Sequence, residues 1–281
     1  MTATGAGIFW IASYPKSGNT WVRGLIASLL TGGDAPALLS RIGKICPHGA
    51  SREWIEEVLD VSTEDMTPVE LTRARADATL DWTKTAGPRL LKIHDHYDSR
   101  LFPAEATAGT VFIVRDPRDV APSWAHHMDV SLDIAIDRMG TPDFTLARSR
   151  TGPNPQAEQR LGSWSNHAAS WLEQKSGPLL LLRYEALLAD PMSETTRLAV
   201  FLGLATDAAA IGRAVATCHF ESLRKAETTA GFREKLVYMD RFFRQGQAGA
   251  WRETLTSEQA ARLTADHGAV MARLGYDTAG S

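Results

Sequence analysis

The sequence predicts an α/β fold, a single domain in which helices flank a central parallel β-sheet. Three observations carry that expectation. Apolar runs of five or six residues recur at 8–12, 89–93, 110–114 and 178–183. Each is bounded by polar or turn residues, the pattern of strands buried on both faces. Helical patterns lie between the runs, and strand–helix alternation is how a parallel sheet is wrapped. The chain has 281 residues, a length that α/β folds often use as one unit.

The elements follow in order. The run at 8–12 passes through a turn holding Pro15 and Gly18 into a helix over 20–30, which stops before Gly32 and Gly33. Two more helices are expected at 51–59 and 68–83, with Asp65 or Thr67 as candidate caps. A Pro turn after the run at 110–114 opens a helix over 119–128. The amphipathic stretch 191–202 ends at Gly203, and helices over 207–218 and 257–274 follow, with Gly275 placed to end the last. Two stretches break the alternation. Residues 141–161 hold Pro142, Gly152, Pro153 and Pro155 among polar residues and read as a loop. Residues 226–247 are basic and aromatic without strong periodicity. Long loops in a compact domain tend to be functional, so lids or acceptor loops are expected at 129–161 and 226–247. No internal repeat is visible.

Composition excludes several classes. Apolar residues make up 44% and charged residues 22%, which rules out a disordered chain, a collagen-like repeat and a membrane bundle. A net charge of −3 gives no bulk attraction to nucleic acid. Cys46 and Cys218 are the only cysteines, too few for a disulfide framework or a four-thiolate zinc site, and they suit a reducing compartment. The first apolar run is too short for a signal peptide or a membrane span. The expectation is a cytoplasmic protein with no nucleic-acid partner and no membrane insertion.

The chemistry-bearing residues cluster at run ends. Ser13, Tyr14, Pro15, Lys16, Ser17, Gly18, Asn19, Thr20 and Trp21 join a strand to a helix N-terminus, where free N–H groups and the dipole can hold a phosphate. Lys16 adds charge, Ser17, Asn19 and Thr20 add donors, and Gly18 allows a positive φ. The order is not G-x-x-x-x-G-K-[ST], because Lys precedes Gly and the first Gly is missing. A second string runs from Phe112 to Trp124. In it Arg115 offers a bidentate fork, Ser123 a hydroxyl two helical turns on, and Arg118 a partner for Asp116 or Asp119. A third, from Phe243 to Trp251, has Gly246 and Gly249 to let backbone N–H groups converge on an anion. Lys92 and His94 close the run at 89–93. An imidazole titrates near 6.5 and accepts a proton at neutral pH. His96 is the alternative base, and a zinc site with His94 lacks a third ligand at a familiar spacing. His126 and His127 point about 100° apart on a helix and do not converge on one ion, so they line an acceptor pocket or the surface.

These strings resemble the cytosolic sulfotransferase family. The segment Tyr14 to Trp21 is similar to its 5′-phosphosulfate loop, and Phe112 to Trp124 to its 3′-phosphate motif. The segment Phe243 to Trp251 is similar to its Arg-Lys-Gly-x-x-Gly-x-Trp loop, with Gln245 in place of Lys. Leu90 to His94 resembles the strand end carrying the family's catalytic His. Weaker matches place Tyr184 beside the adenine, Cys218 and Phe220 against the base, and His167 by the acceptor. The resemblance spans about residues 8–256. It implies the P-loop-like fold of that family and in-line sulfuryl transfer from 3′-phosphoadenosine 5′-phosphosulfate (PAPS), leaving the bisphosphate PAP, with no metal required. The implied acceptor is a small molecule: an alcohol, phenol, amine, lipid or glycoside. A monomer or homodimer is expected. The implied catalytic residues are His94, Lys16, Lys92 and Ser123. The implied nucleotide-binding residues are Lys16, Ser17, Gly18, Asn19, Thr20, Trp21, Arg115, Ser123, Tyr184, Cys218, Phe220, Phe243, Arg244, Gln245 and Gly246. Two other readings stay open: a P-loop-like kinase or nucleotide hydrolase, and a non-catalytic protein that binds PAPS or PAP.

Overall fold

The structure, a computed structural model, describes residues 7–85, 89–148, 154–235 and 237–278. Strand β1 (Ile8–Ser13) leads into α1 (Asn19–Thr31), followed by α2 (Ala35–Ile45), α3 (Arg52–Leu59) and α4 (Pro68–Trp82). Then come β2 (Leu90–Ile93), β3 (Thr107–Val114), α5 (Pro117–Met128) and α6 (Leu132–Gly140). A small antiparallel ribbon, β4 (Thr145–Leu146) and β5 (Gln159–Arg160), precedes α7 (Trp164–Leu172). The last strand is β6 (Leu179–Arg183), before α8 (Tyr184–Ala189), α9 (Pro191–Phe201), α10 (Ala208–Thr217), α11 (Phe220–Ala230), α12 (Trp251–Thr254) and α13 (Ser257–Arg273).

The main sheet is parallel, in the order β2-β1-β3-β6. Alternate side chains of each strand enter opposite cores, as a pleat of period two requires. Trp10, Ala12, Leu91, Ile93, Phe112 and Val114 pack on one face with Trp54, Trp124, Trp164, Trp171 and Leu263. Ile11, Leu90, Val111, Ile113 and Leu182 pack on the other with Val22, Leu25, Ile26, Leu38 and Leu198. Both faces are therefore dry, which is why the strands read as continuous apolar runs. The register pairs Ala12 with Ile93 and Phe112, and Val114 with Arg183, so all four strands end along one edge. That carboxyl edge is where open α/β sheets bind ligands.

The expected helices form, within a residue or two at their ends. Thr67 caps α4 in a reciprocal capping box with Glu70, and Asp116, Asp190 and Asp207 cap α5, α9 and α10. Gly275 takes φ 75° just past α13. Two loop expectations are corrected. The stretch 129–161 contains α6, capped by Ser131, and the ribbon β4–β5; Gly152 and Pro153 lie outside the described residues. The stretch 226–247 begins inside α11, and the chain is irregular only beyond Ala230. Helix α2, capped by Asp34, is an addition. Among the described residues no helix is long and apolar enough to cross a membrane.

Candidate active site

A cleft of about 1780 Å³ opens on the carboxyl edge of the sheet. Each strand end delivers a residue to it: Lys16 after β1, Lys92 and His94 at the end of β2, Arg115 after β3 and Tyr184 after β6. The turn after β1 is unusual backbone. Lys16 has φ 68° and Gly18 φ 102°, the left-handed region that ordinary side chains avoid. A Cβ on Gly18 would sit 2.8 Å from the Tyr184 ring, so glycine is needed for both conformation and space. Gly18 offers no side-chain cap to α1, so the first N–H groups of that helix face the turn without an intrahelical acceptor. Ser17 is fully buried and its Oγ has no hydrogen-bond partner.

Cations crowd this turn. The Arg115 guanidinium stacks 4.3 Å from the Tyr184 ring centre and donates to the carbonyls of Lys16 (3.3 Å) and Gln247 (2.8 Å), while its Nε has no partner. Burial, then the like charges of Lys92, Arg115 and Arg244, lowers the Lys16 amine to about 8. Burial and Arg115 also lower Arg244. A group of cations that depress one another is set up for an anion.

His94 stands beside them. Its Nδ1 lies 2.8 Å from the carbonyl oxygen of Ser13. A carbonyl only accepts, so Nδ1 carries the proton and Nε2 keeps a lone pair. Burial, and then Lys92, pushes His94 well below the usual imidazole range. The ring is neutral at pH 7 and able to take a proton through Nε2. His48, 5.7 Å away ring to ring, and His127, at about 4, are also held neutral, mainly by burial.

The fourth wall is a cover made by residues 231–235 and 237–250. Glu227, at the end of α11, accepts from the N–H groups of Phe242 (2.6 Å) and Phe243 (3.0 Å). Asp119, on α5, accepts from the N–H groups of Gly249 (2.7 Å) and Trp251 (2.9 Å). Phe232, Phe242 and Phe243 pack together, and Lys16 Nζ lies 4.5 Å from the Phe242 ring centre. Gly246, at φ 63°, crosses directly over Phe220, where a Cβ would come within 2.3 Å of the ring.

A family model described as sulfotransferase domain matches residues 8–275. The chain belongs to the sulfotransferase family. It is 28% identical over 265 residues to sulfotransferase 1B1 of Mus musculus, covering 91% of this chain and 79% of that protein. It is 26% identical over 277 residues to cytosolic sulfotransferase 17 of Arabidopsis thaliana, covering 91% of this chain and 71% of that one. In fold it is similar to retinol dehydratase, solved in complex with androsterone and inactive cofactor PAP, with a TM-score of 0.63. That match has 18% identity and covers 95% of this chain and 81% of the other. It is similar as well to mouse SULT7A1 complexed with PAP, with a TM-score of 0.60 at 17% identity over 94% and 85% of the two chains.

Most of the residues singled out in the sequence of this sulfotransferase line one cleft: Lys16, Gly18, Asn19, Thr20, Trp21, Lys92, His94, Arg115, Ser123, Tyr184, Cys218, Phe220, Phe243, Arg244, Gln245 and Gly246. Several stand differently from expectation. The Asn19 amide is an internal brace. It donates to the Ile11 carbonyl (2.9 Å) and Ser13 Oγ (3.2 Å) and accepts from Arg23 Nε (2.9 Å), leaving no side-chain donor for a ligand. Cys218 is fully buried wall, its thiol pushed up to about 12 by burial. Gln245 turns its amide oxygen to Arg244, accepting an N–H at 3.2 Å. His167 is corrected: it is buried under Tyr14 and Phe112 and not in the cleft. His127 lines the cleft and His126 is exposed. His96 points Nδ1 at the Tyr97 carbonyl (2.6 Å) and does not line the cleft. Arg118 pairs with Asp116 and stacks on Trp251. Among the described residues no group of three His, Cys, Asp or Glu could hold a metal ion.

Four participants were not read from the sequence: Arg23, His48, Asp119 and Glu234. Arg23 follows Asn19 by one helical turn, a spacing that puts both on one face of α1. Asp119 falls within the second motif, but nothing local says that it clamps residues 249–251. His48 and Glu234 carry no periodic signal.

Proposed function

We propose that this sulfotransferase moves the sulfuryl group of PAPS to a hydroxyl or amine of a small molecule, with His94 as the base, and works in the cytosol. One observation carries the reading. A phosphate-type turn crowded by Lys16, Arg115 and Arg244 adjoins a neutral imidazole whose Nε2 lone pair is free. The residues present fit a 3′,5′-bisphosphate nucleotide. The buried Ser17 Oγ and Arg115 Nε lack partners, and the cradles at Gly18 and Gly246 have no room for a side chain.

PAPS, when bound, supplies the activated sulfuryl group and a bisphosphate leaving group. The rest is done by the chain. Lys16 and the α1 N-terminus bind the 5′ end and offset charge on the leaving oxygen. Arg115, Ser123, Arg244, Gln245 and the Gly246 backbone hold the 3′-phosphate, and Trp21 and Phe220 give aromatic faces for the base. His94 Nε2 takes the acceptor proton, and Lys92 beside it steadies the transferring group. Positioning and charge do most of such work in group transfer of this kind. For the acceptor, the cleft lining offers apolar surface at Trp54, Trp82, Met128 and Leu146, with the imidazoles of His48 and His127 also in the lining, which suits a phenol, lipid or other largely apolar alcohol.

The deciding experiment is transfer of labelled sulfuryl from PAPS to a panel of alcohols, phenols and amines, beside an arm with ATP and magnesium. Sulfated product without metal is expected. Nucleotide hydrolysis or phosphorylated product in the second arm alone would favour the kinase reading. Tight PAP binding with no transfer to any acceptor would favour a binding protein.

A further inference from the structure

Glu234 is a carboxylate inside a cleft of cations. Its Oε1 and Oε2 accept from the Arg23 guanidinium at 2.8–2.9 Å, and its Oε2 lies 3.3 Å from Lys92 Nζ. Arg23 is 1% exposed. Its Nε is bonded to Asn19 Oδ1, Asn19 is tied to Ser13 Oγ, and the Ser13 carbonyl accepts from His94 Nδ1. The cover is thus joined to the base by a chain of short polar contacts, and to Lys92 directly. Of Lys16, Arg23, Lys92, Arg115 and Arg244, ion pairs among the described residues are made by Arg23 and Lys92, both with Glu234.

We infer that Glu234 is a positioning residue: docked against the Arg23 anchor, it keeps Lys92 charged and aimed at the acceptor end of the cleft, so that seating the cover completes the transfer site. The inference rests on the sulfotransferase reading above. The surroundings of Lys92 explain why a carboxylate is needed there. Facing it are Arg23 from α1, Cys46 and His48 from the turn after α2, Lys16 from the phosphate turn, His127 from α5, and His94 just beyond its own strand. Burial pushes the Cys46 thiol up to about 12 and holds the three histidines neutral, so each of these neighbours is neutral or positive. Burial, and then Arg23, favours loss of the Lys92 proton, and Glu234 opposes it. The Arg23 fork fixes both carboxylate oxygens through the shorter contacts. The longer contact to Lys92 leaves its other N–H donors for a substrate oxygen.

The test uses Glu234→Gln, which keeps shape and removes charge, and Arg23→Lys, which keeps charge and removes the fork. The first readout needs no turnover. In the nucleotide-free protein, acylation of Lys92 by an amine-reactive reagent at pH 8 is followed by mass spectrometry. Only a neutral amine reacts, so Glu234→Gln should speed it by up to about tenfold for each unit its pKa falls. The second is the pH profile of kcat with PAPS and an accepted acceptor. The alkaline limb should move to lower pH in Glu234→Gln and part of the way in Arg23→Lys, while PAP binds no more weakly at pH 7. A Lys92 reactivity and pH profile that overlay the parent's would overturn the inference. So would a higher kcat/KM for Glu234→Gln at neutral pH, which would make Glu234 an occupant that substrate must expel. A parent that transfers nothing would sink the sulfotransferase reading and this one together. An active parent with overlaid profiles would sink this one alone.

Discussion

The two sides of the cleft are built by different means. The phosphate side stands on the sheet edge: Lys16, His94, Arg115 and Tyr184 each follow a strand within three residues, and the strands are locked in register. The cover side stands on side chains that reach across the sequence. Glu234 meets Arg23 from 211 positions away and Lys92 from 142, and Asp119 holds Gly249 from 130. A wall built on buried strands is in place before ligand arrives. A wall held by a few ion pairs and backbone bonds costs less to open than one built on buried strands. Charge crosses that division: Lys16 and Arg115 on the sheet edge and Arg244 on the cover lack ion pairs among the described residues, whereas Lys92 on the sheet edge has its counter-ion, Glu234, on the cover.

The largest expected effect separates chemistry from nucleotide binding. His94→Ala should lower kcat by about 10²–10⁴-fold, the usual contribution of a positioned base. PAP affinity should stay within threefold, because the ring contacts β1 and not the phosphate turn. Arg115→Ala should do the reverse, weakening PAP roughly tenfold or more through the loss of a charge-assisted contact. Because burial holds the folded-state pKa of His94 well below 6.5, kcat should not begin to fall until the pH is well under that value. Kinetics and PAP titration on the two variants check this. Wild-type-like turnover in His94→Ala, with His96→Ala inactive, would move the base to His96.

A middle-sized effect follows from the crowded cations. With Lys16 at about 8 in the free protein, part of it is neutral at pH 8 and above. A bound phosphate restores the charge, so PAP binding should take up a proton between about pH 8 and 10 and none near 6.5. The sign for folding is opposite to a salt bridge. A lysine lowered from 10.5 to about 8 weakens the fold below pH 8, and that penalty is relieved as pH rises toward 10.5. PAP affinity should therefore fall by up to about tenfold per pH unit above 8. Lys16→Arg should flatten the dependence, since guanidinium stays charged. Calorimetry in buffers of different ionisation enthalpy measures the uptake, and zero uptake at pH 9 would contradict it.

The same contrast explains what the sequence disclosed. Strand–turn–helix units write their function locally: Pro15, Lys16, Gly18 and Thr20 are adjacent because one helix N-terminus must present them together. The sheet, its strand runs and most capped helices were legible for the same reason. Helix α6 was missed because Pro142, Gly152 and Pro153 drew the whole stretch into a loop, and α11 because its periodicity fades into the irregular cover. Asn19 looked like a ligand donor because Lys16, Ser17 and Thr20 beside it read the same way. Only the fold shows that Ile11, Ser13 and Arg23 use its side chain up. Glu234, between Arg233 and Lys235, looks like an ordinary solvated charge until α1 and β2 are brought to it.

The smallest effect tests whether the 3′-phosphate corner is short of charge. The family pattern has Lys where this chain has Gln245. The Gln245 oxygen accepts from Arg244, so the residue braces a guanidinium instead of adding a cation. Gln245→Lys loses that brace and adds a like charge next to Arg244 and Arg115, which already depress Lys16. The free protein should lose a little stability, within about 0.5 kcal/mol for a change at an exposed site. PAP should relieve the repulsion and gain one more charge-assisted contact, about 1 kcal/mol better than a neutral one. Binding should therefore tighten several-fold at low salt, and the gain should shrink as salt rises, since the site is open to solvent. Turnover at saturating PAPS should hardly move, because the 3′-phosphate does not react. An unchanged PAP dissociation constant at low salt would mean that Arg244, released from Gln245, already supplies the full charge. Arg244→Gln in the same background would then have to remove it.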